Sequence, residues 1–166
     1  MSEDKPDIRQ HAVKTDPRPR RTTEGDAFTM LVVGVASLGG TISEVGEVLA
    51  GHAGQTLARW VFLDAIATEA DTVAEISRRL GQARQSVQRI ANVVVGDGLA
   101  VFEDNPAHQR AKLVRLTPAG RRVLRKISVR QKKWAETAGE LLGGADIAAT
   151  AALVRRLAEV VEDTPV

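Results

Sequence analysis

Apolar residues return every three to four positions along most of this chain, and breaks in that rhythm divide it into elements. Between 26 and 50, Phe28, Leu31, Val32, Val35, Leu38, Ile42, Val45 and Leu49 share one helical stripe, with Asp26 in the place of an N-cap. Gly34, Gly39, Gly40 and Gly46 each weaken that helix by up to about 1 kcal/mol, so it needs packing, and they allow either a kink or the close approach of a neighbour. After the loop "GHAGQ" (51–55), Thr56 caps a second helix, "LARWVFLDAIATEA", whose inner stripe is Trp60, Leu63 and Ile66 or Ala67. A short helix over 72–81 starts with Thr72 and Glu75 in the capping-box spacing, each side chain serving the other's free N–H. It buries Val73, Ile76 and Leu80 and ends at Gly81. Another helix, 83–96, turns Ala83, Val87, Ile90 and Val94 inward and stops at "GDG". Apolar stretches on either side of "EDNPAHQR" predict a two-stranded hairpin over 99–116 with a long basic tip. Thr117 and Pro118 then open a long helix to about 142, with Val123, Leu124, Ile127, Trp134, Ala138 and Leu141 or Leu142 as its stripe. "GG" ends it, and a last helix over 146–162 carries Ile147, Val154, Leu157, Val160 and Val161. Residues 1–25 are polar and contain Pro6, Pro17 and Pro19, the composition of a disordered arm.

A short capped helix, a glycine turn and a second helix with a polar outer face make a helix-turn-helix, and the hairpin behind it makes the winged variant. The fold class is mostly α with a small β-hairpin wing. On the second helix Arg84, Gln85, Gln88, Arg89 and Asn92 fall within about 140° of arc, with Val87, Ile90 and Val94 roughly opposite. Arginine matches guanine O6 and N7, and glutamine or asparagine matches adenine N6 and N7. Acids, which would repel phosphates, are missing from that face. Arg84, Gln85, Gln88 and Arg89 are therefore the expected readers of base edges in double-stranded DNA. Ser86 and Asn92 are better placed for a phosphate or for no contact.

Charge supports this reading. The 166 residues have a formal net charge of only +2. Fourteen Lys or Arg and four acids (Glu75, Asp97, Glu103, Asp104) nevertheless lie between Thr72 and Lys133. Such asymmetry suits a polyanionic partner, although a solvated basic surface has the same signature. "RPRR" at 18–21 is either a phosphate contact or a solvated tail. The length suits one domain, or one domain with dimerisation arms. With no Tyr, three Phe and two Trp, the core must rest on Ala, Val, Leu and Ile.

Composition also excludes several classes. There is no Cys, hence no disulfide, thiolate metal site or thiol switch. Three scattered His make no metal site. No phosphate-binding loop, dinucleotide fingerprint or nucleophile elbow is present. The lone G-x-G of "VVVGDGLA" follows a helix, the wrong context. No enzyme activity, catalytic residue, cofactor or metal is expected. The longest apolar candidate, "AFTMLVVGVASLGG", is glycine-broken and short of the ~18 residues of a membrane span. The charged start "MSEDKPDIRQ" is unlike a secretion signal. The expectation is a cytoplasmic, nucleoid-associated protein with no membrane partner.

From 56 to about 125 the chain resembles the MarR family of bacterial transcription regulators. The likeness is carried by "LARWVFLDAIA", by "TVAEISRRLGQARQSVQRIANVVVGDGLAVFEDNPAHQRAKLVRLTPAG" and by the helix start Thr117-Pro118-x-Gly120. It implies a homodimer held by terminal helices. The organisation is then a disordered arm at 1–25, a dimerisation helix and loop at 26–55, the winged helix-turn-helix at 56–120 and C-terminal dimerisation helices at 121–166. It also implies repression of nearby genes, relieved by a small-molecule inducer. The family's wing-tip pattern Asp-x-Arg-(Gly/Ala) falls here on His108-Gln109-Arg110-Ala111, so Arg110 matches the arginine that enters the minor groove. His108 stands where relatives carry the aspartate that holds it, and Asp104 is the nearest alternative anchor. Phosphate contacts are expected from Ser86, Lys112 and Arg115, with Arg78 and Arg79 as further candidates. An inducer pocket between the dimer helices and the winged domain would draw on Met30, His52, Arg59, Trp60 and Asp64, with Phe62 nearby. The alternative is a winged-helix protein-interaction module without specific DNA binding, which would ignore duplex DNA.

Overall fold

The computed structural model describes residues 19–108 and 110–165. In chain order the elements are α1 (Thr23–Gly51), α2 (Leu57–Ala65), β1 (Asp71–Thr72), α3 (Val73–Leu80), α4 (Arg84–Gly96), β2 (Ala100–Glu103), β3 (Leu113–Leu116), α5 (Pro118–Leu142) and α6 (Gly144–Asp163). The chain divides after Gly39, inside α1, into two compact units. Residues 1–18 of the expected arm, Arg18 of "RPRR" included, lie outside the described residues.

In the first unit the helix begins earlier than the sequence pattern suggests. Thr22 Oγ1 accepts the Gly25 N–H at 3.0 Å and so caps it. Asp26, expected as the cap, sits inside the first turn, 3.8 Å from Arg21. Helical hydrogen bonding passes through Gly34 and Gly39 without a break. Where the sequence pattern suggested a glycine-broken run, α1 is continuous and, by length and composition only, long and apolar enough to cross a membrane, its most apolar stretch having a mean hydropathy of 1.5. Phe28, Met30, Val33 and Leu38 are exposed, and none of the unit's described residues is buried.

The second unit contains the core. Phe62 and Leu63 from α2, Ile66 at its C-cap, Ile76 from α3, Val87, Ala91 and Val94 from α4, and Val114 and Leu116 from β3 close on one another almost without solvent exposure. Each of the larger side chains contributes about 1.5–3 kcal/mol by leaving water. The end of α1 closes on α2 at Gly46, where a Cβ would lie 2.8 Å from Leu57 Cδ1. Glu47 accepts the Leu57 N–H there at 3.0 Å. Phe62, weighed as a pocket residue, is core instead.

Several local expectations change. The second helix stops at Ala65, not Ala70, because Asp71 and Thr72 leave it to form β1, a third strand the sequence did not announce. The sheet is antiparallel in the order β1-β3-β2, with Asp71 opposite Val114 and Ala100 opposite Leu116. The capping box is half made. Thr72 Oγ1 accepts the Glu75 N–H at 3.2 Å, but the Thr72 N–H goes to Asp71 Oδ1 at 2.7 Å and Glu75 turns to Arg78. Gly81 ends α3 at φ 62, a left-handed conformation that favours glycine. Ala83 is exposed, not inward-facing, because it is the N-cap of α4. Trp134, Leu141 and Leu142 on α5 are exposed, and α6 buries nothing.

Candidate nucleic-acid interface

The turn between α3 and α4 brings the start of α4 to the surface. Ala83 offers no side chain to cap it, so the first-turn amides and the positive end of the helix dipole favour an anion. Arg84, Gln85, Ser86 and Arg89 are exposed and Gln88 is half-buried. One shallow groove runs along Arg84, Gln85, Gln88, Arg89, Asn92 and Val93. The expected readers therefore share one outward face, held there by Val87, Ala91 and Val94 in the core. Gln88 Nε2 donates to Asn92 Oδ1 at 2.9 Å.

Between this helix and the wing lies a cleft of about 280 Å³. Arg84 and Gln88 form one wall, Arg110 and Lys112 the other, with Thr72 and Phe102 also lining it. Three cations and no acid line the cleft among the described residues, an arrangement that attracts phosphate. At the wing tip Asn105 Oδ1 accepts the Ala107 N–H at 2.9 Å, and the Ala111 N–H bonds the His108 carbonyl at 3.1 Å. Arg110 is exposed and has no hydrogen-bond or ion-pair partner among the described residues, so neither His108 nor Asp104 anchors it; Gln109 lies outside them.

Other basic candidates are already engaged. Arg115 Nε bonds Glu103 Oε2 at 2.6 Å across the hairpin. Arg78 is paired with Glu75, Nη2 to Oε1 at 2.7 Å; that bond is the main cause holding the Glu75 carboxyl below its ordinary range and raising Arg78 above its own. Arg79 donates to the Ala65 carbonyl at 2.7 Å and lies 3.2 Å from Asp71, so it fastens α3 to the end of α2.

The inducer candidates separate. Trp60 and Asp64, with Leu57, Leu80, Ser128 and Gln131, line a cavity of about 470 Å³ between α2, α3 and α5. Arg59, largely buried, pairs instead with Asp97 at the end of α4. His52 is in the exposed turn after α1, and Met30 belongs to the other unit. Sequence reasoning missed Thr72 and Phe102 as cleft residues, because the one read as a cap and the other as a strand position. Asp97 was hidden inside the turn signal "GDG".

Comparison with known proteins agrees with this geometry. A family model described as MarR family matches residues 53–111. The uncharacterized protein Rv2011c of Mycobacterium tuberculosis is 45% identical over 105 residues, which cover 63% of this chain and 73% of that protein. Among solved structures, the MarR family transcription regulator SP03579 superposes with a TM-score of 0.75 at 23% identity, over 85% of this chain and 97% of its own. The Staphylococcus aureus MarR, solved in complex with salicylate and kanamycin, gives 0.72 at 15% identity, over 82% and 93%. The family model over residues 53–111, together with the fold shared with solved MarR regulators, makes this chain a member of the MarR family of transcription regulators.

Proposed function

We propose that the chain is a cytoplasmic, homodimeric repressor that binds a pseudo-palindromic operator in double-stranded DNA and is released by a small molecule. The cleft walled by Arg84, Arg110 and Lys112, with no acid lining it among the described residues, beside the amide-bearing face of α4 carries this reading. In it Arg84, Gln85, Gln88 and Arg89 face base edges in the major groove, and Arg110 enters the adjacent minor groove. Ser86, Lys112 and the α4 amides hold phosphates. Arg115 contributes from its pair with Glu103.

A second copy of the chain supplies what the apolar positions of α1 and α6 lack. Exposed Phe28, Leu31 and Val35 on one helix and Ile147, Val154 and Val161 on the other suit a dimer interface. Two α4 helices would then meet successive major grooves about 34–36 Å apart. The cavity beside Trp60 and Asp64 suits an inducer, and a structural neighbour has been solved with salicylate.

Selection from a random duplex pool tests the reading. The expected outcome is an enriched inverted repeat, with Arg84→Ala losing preference at one base pair of each half-site by about 1–3 kcal/mol. A pool from which nothing is enriched at low salt would reject it, and recovery of the chain in the membrane fraction would assign α1 to lipid instead.

A further inference from the structure

We infer that Asn92 is a positioning residue that sets the amide of Gln88 for one adenine-containing base pair in each half-site. The inference rests on the reading of α4 as the base-reading helix. Glutamine has three rotatable side-chain torsions, and a glutamine standing free on a helix samples many orientations of its amide. Gln88 does not stand free: Nε2 donates to Asn92 Oδ1 one turn along, at 2.9 Å. That bond uses one of the two N–H donors. The other N–H and the carbonyl oxygen remain, and these are the pair that adenine N7 and N6 require. Gln85, on the same face, has no such brace among the described residues.

Asn92 is itself poorly placed to read a base. It sits about 6 Å further along the axis than Gln88, and recognition helices meet base edges with their N-terminal residues. Its oxygen is committed to Gln88. Gln88 also lies between the outer groove of α4 and the wing cleft, which limits how far its stem can swing. Bracing before binding removes an ordering penalty that would otherwise be met in the complex, a factor of about three to ten for one long side chain.

Duplex selection with the full-length protein, followed by competition titrations at each operator position, tests this. Asn92→Ala is expected to lower the adenine preference about three- to tenfold, at the one base pair that Gln88→Ala also relaxes. The slope of affinity against salt should be unchanged, because no charge is lost. Asn92→Asp keeps the acceptor oxygen and should keep the preference, although its charge lowers overall affinity. In a Gln88→Ala background Asn92→Ala should have no further effect. Loss of preference at a different base pair would show that Asn92 reads its own base and would overturn the inference, as would an unchanged profile. A parent protein that selects no sequence sinks the regulator reading, and this inference with it; that failure is visible before any substitution is made.

Discussion

Gly120 stands where three elements meet, and adding one methyl group there should do more harm than at any other glycine of α5. A Cβ on Gly120 would lie 2.1 Å from the Leu99 carbonyl oxygen and 2.6 Å from Leu116 Cδ1. Real Cβ atoms essentially never approach a neighbour closer than 3.0 Å, so the backbone at Leu99 would have to retreat by about 1 Å. It is poorly free to do so. The Leu99 oxygen accepts the Thr117 N–H at 3.1 Å and faces Thr117 Oγ1 at 3.0 Å. Thr117 Oγ1 in turn accepts the Gly120 N–H at 3.1 Å. Overpacking of this kind costs about 1–3 kcal/mol and sometimes more. Against it stands the better helix propensity of alanine, up to about 1 kcal/mol. Because the closest clash is with backbone, the cost falls at the upper end of that range, and the net for Gly120→Ala is a loss of roughly 2 kcal/mol, or a fall in Tm of about 4–8 °C for a chain of this size.

Gly139, further along the same helix, provides the control. Its added Cβ meets only Ile147 Cδ1 at 3.9 Å, an ordinary van der Waals distance, so Gly139→Ala should gain about 0.5–1 kcal/mol. Thermal and urea unfolding followed by circular dichroism, at one fixed protomer concentration because association shifts apparent stability, separates the two. A Gly120→Ala protein as stable as the parent, or two variants moving in the same direction, would refute the argument that a backbone approach and not helix propensity governs position 120.

Arg110→Ala should weaken binding to every sequence and reduce the slope of log affinity against log salt by roughly one for each phosphate that the wing no longer neutralises; an unchanged slope in gel-shift titrations would remove the wing from the footprint. Leu31→Glu combined with Val35→Glu should convert the proposed dimer to monomer in sedimentation velocity, and a double variant that sediments as a dimer like the parent would exclude α1 from the interface. Arg78 depresses the pKa of Glu75, so this pair stabilises the fold above the ordinary value of 4.5 and loses its contribution as pH falls through the lowered value. Glu75→Gln should therefore flatten the acid limb of urea midpoints measured against pH, by a small amount because both side chains are solvated; an unaltered limb would show that the pair does not couple to folding.

Most of the second unit was legible because its signals are local. Thr56, Thr72 and Thr117 each cap the helix that follows, as hydroxyl residues at those spacings should. The apolar period of 83–96 correctly turned Val87 and Val94 inward and so put Arg84 and Gln85 outward. What escaped depends on partners distant in sequence. A two-residue strand at Asp71 exists only because β3 runs beside it. Arg79 reads as a free cation until the Ala65 carbonyl is placed next to it. Thr22 took the capping role from Asp26 through a single bond, a choice between neighbouring polar residues that periodicity cannot make. For the glycines of α1 the sequence left a kink and a close approach both open, and only the placement of Leu57 against Gly46 decides for the close approach there.

These ties share a direction. The C-terminal end of α4 is held by Arg59 on Asp97, by the Leu99 N–H on the Val94 carbonyl at 2.9 Å, and by Thr117 on Gly98 at 2.7 Å. The N-terminal end has no side-chain cap, and Arg84, Gln85 and Ser86 are exposed there. A rod fixed at one end and bare at the other presents its bare end with little freedom to tilt, and recognition of base edges tolerates little misplacement. Leaving the first-turn amides unsatisfied lowers the stability of the free protein, which an N-cap serine would raise by about 0.5–2 kcal/mol. On the proposed reading, a phosphate would supply the missing acceptor in the complex with DNA. Ala83→Ser should then stabilise the free protein and weaken its hold on duplex DNA, and a variant that gained in both would show that the bare helix end takes no part in binding.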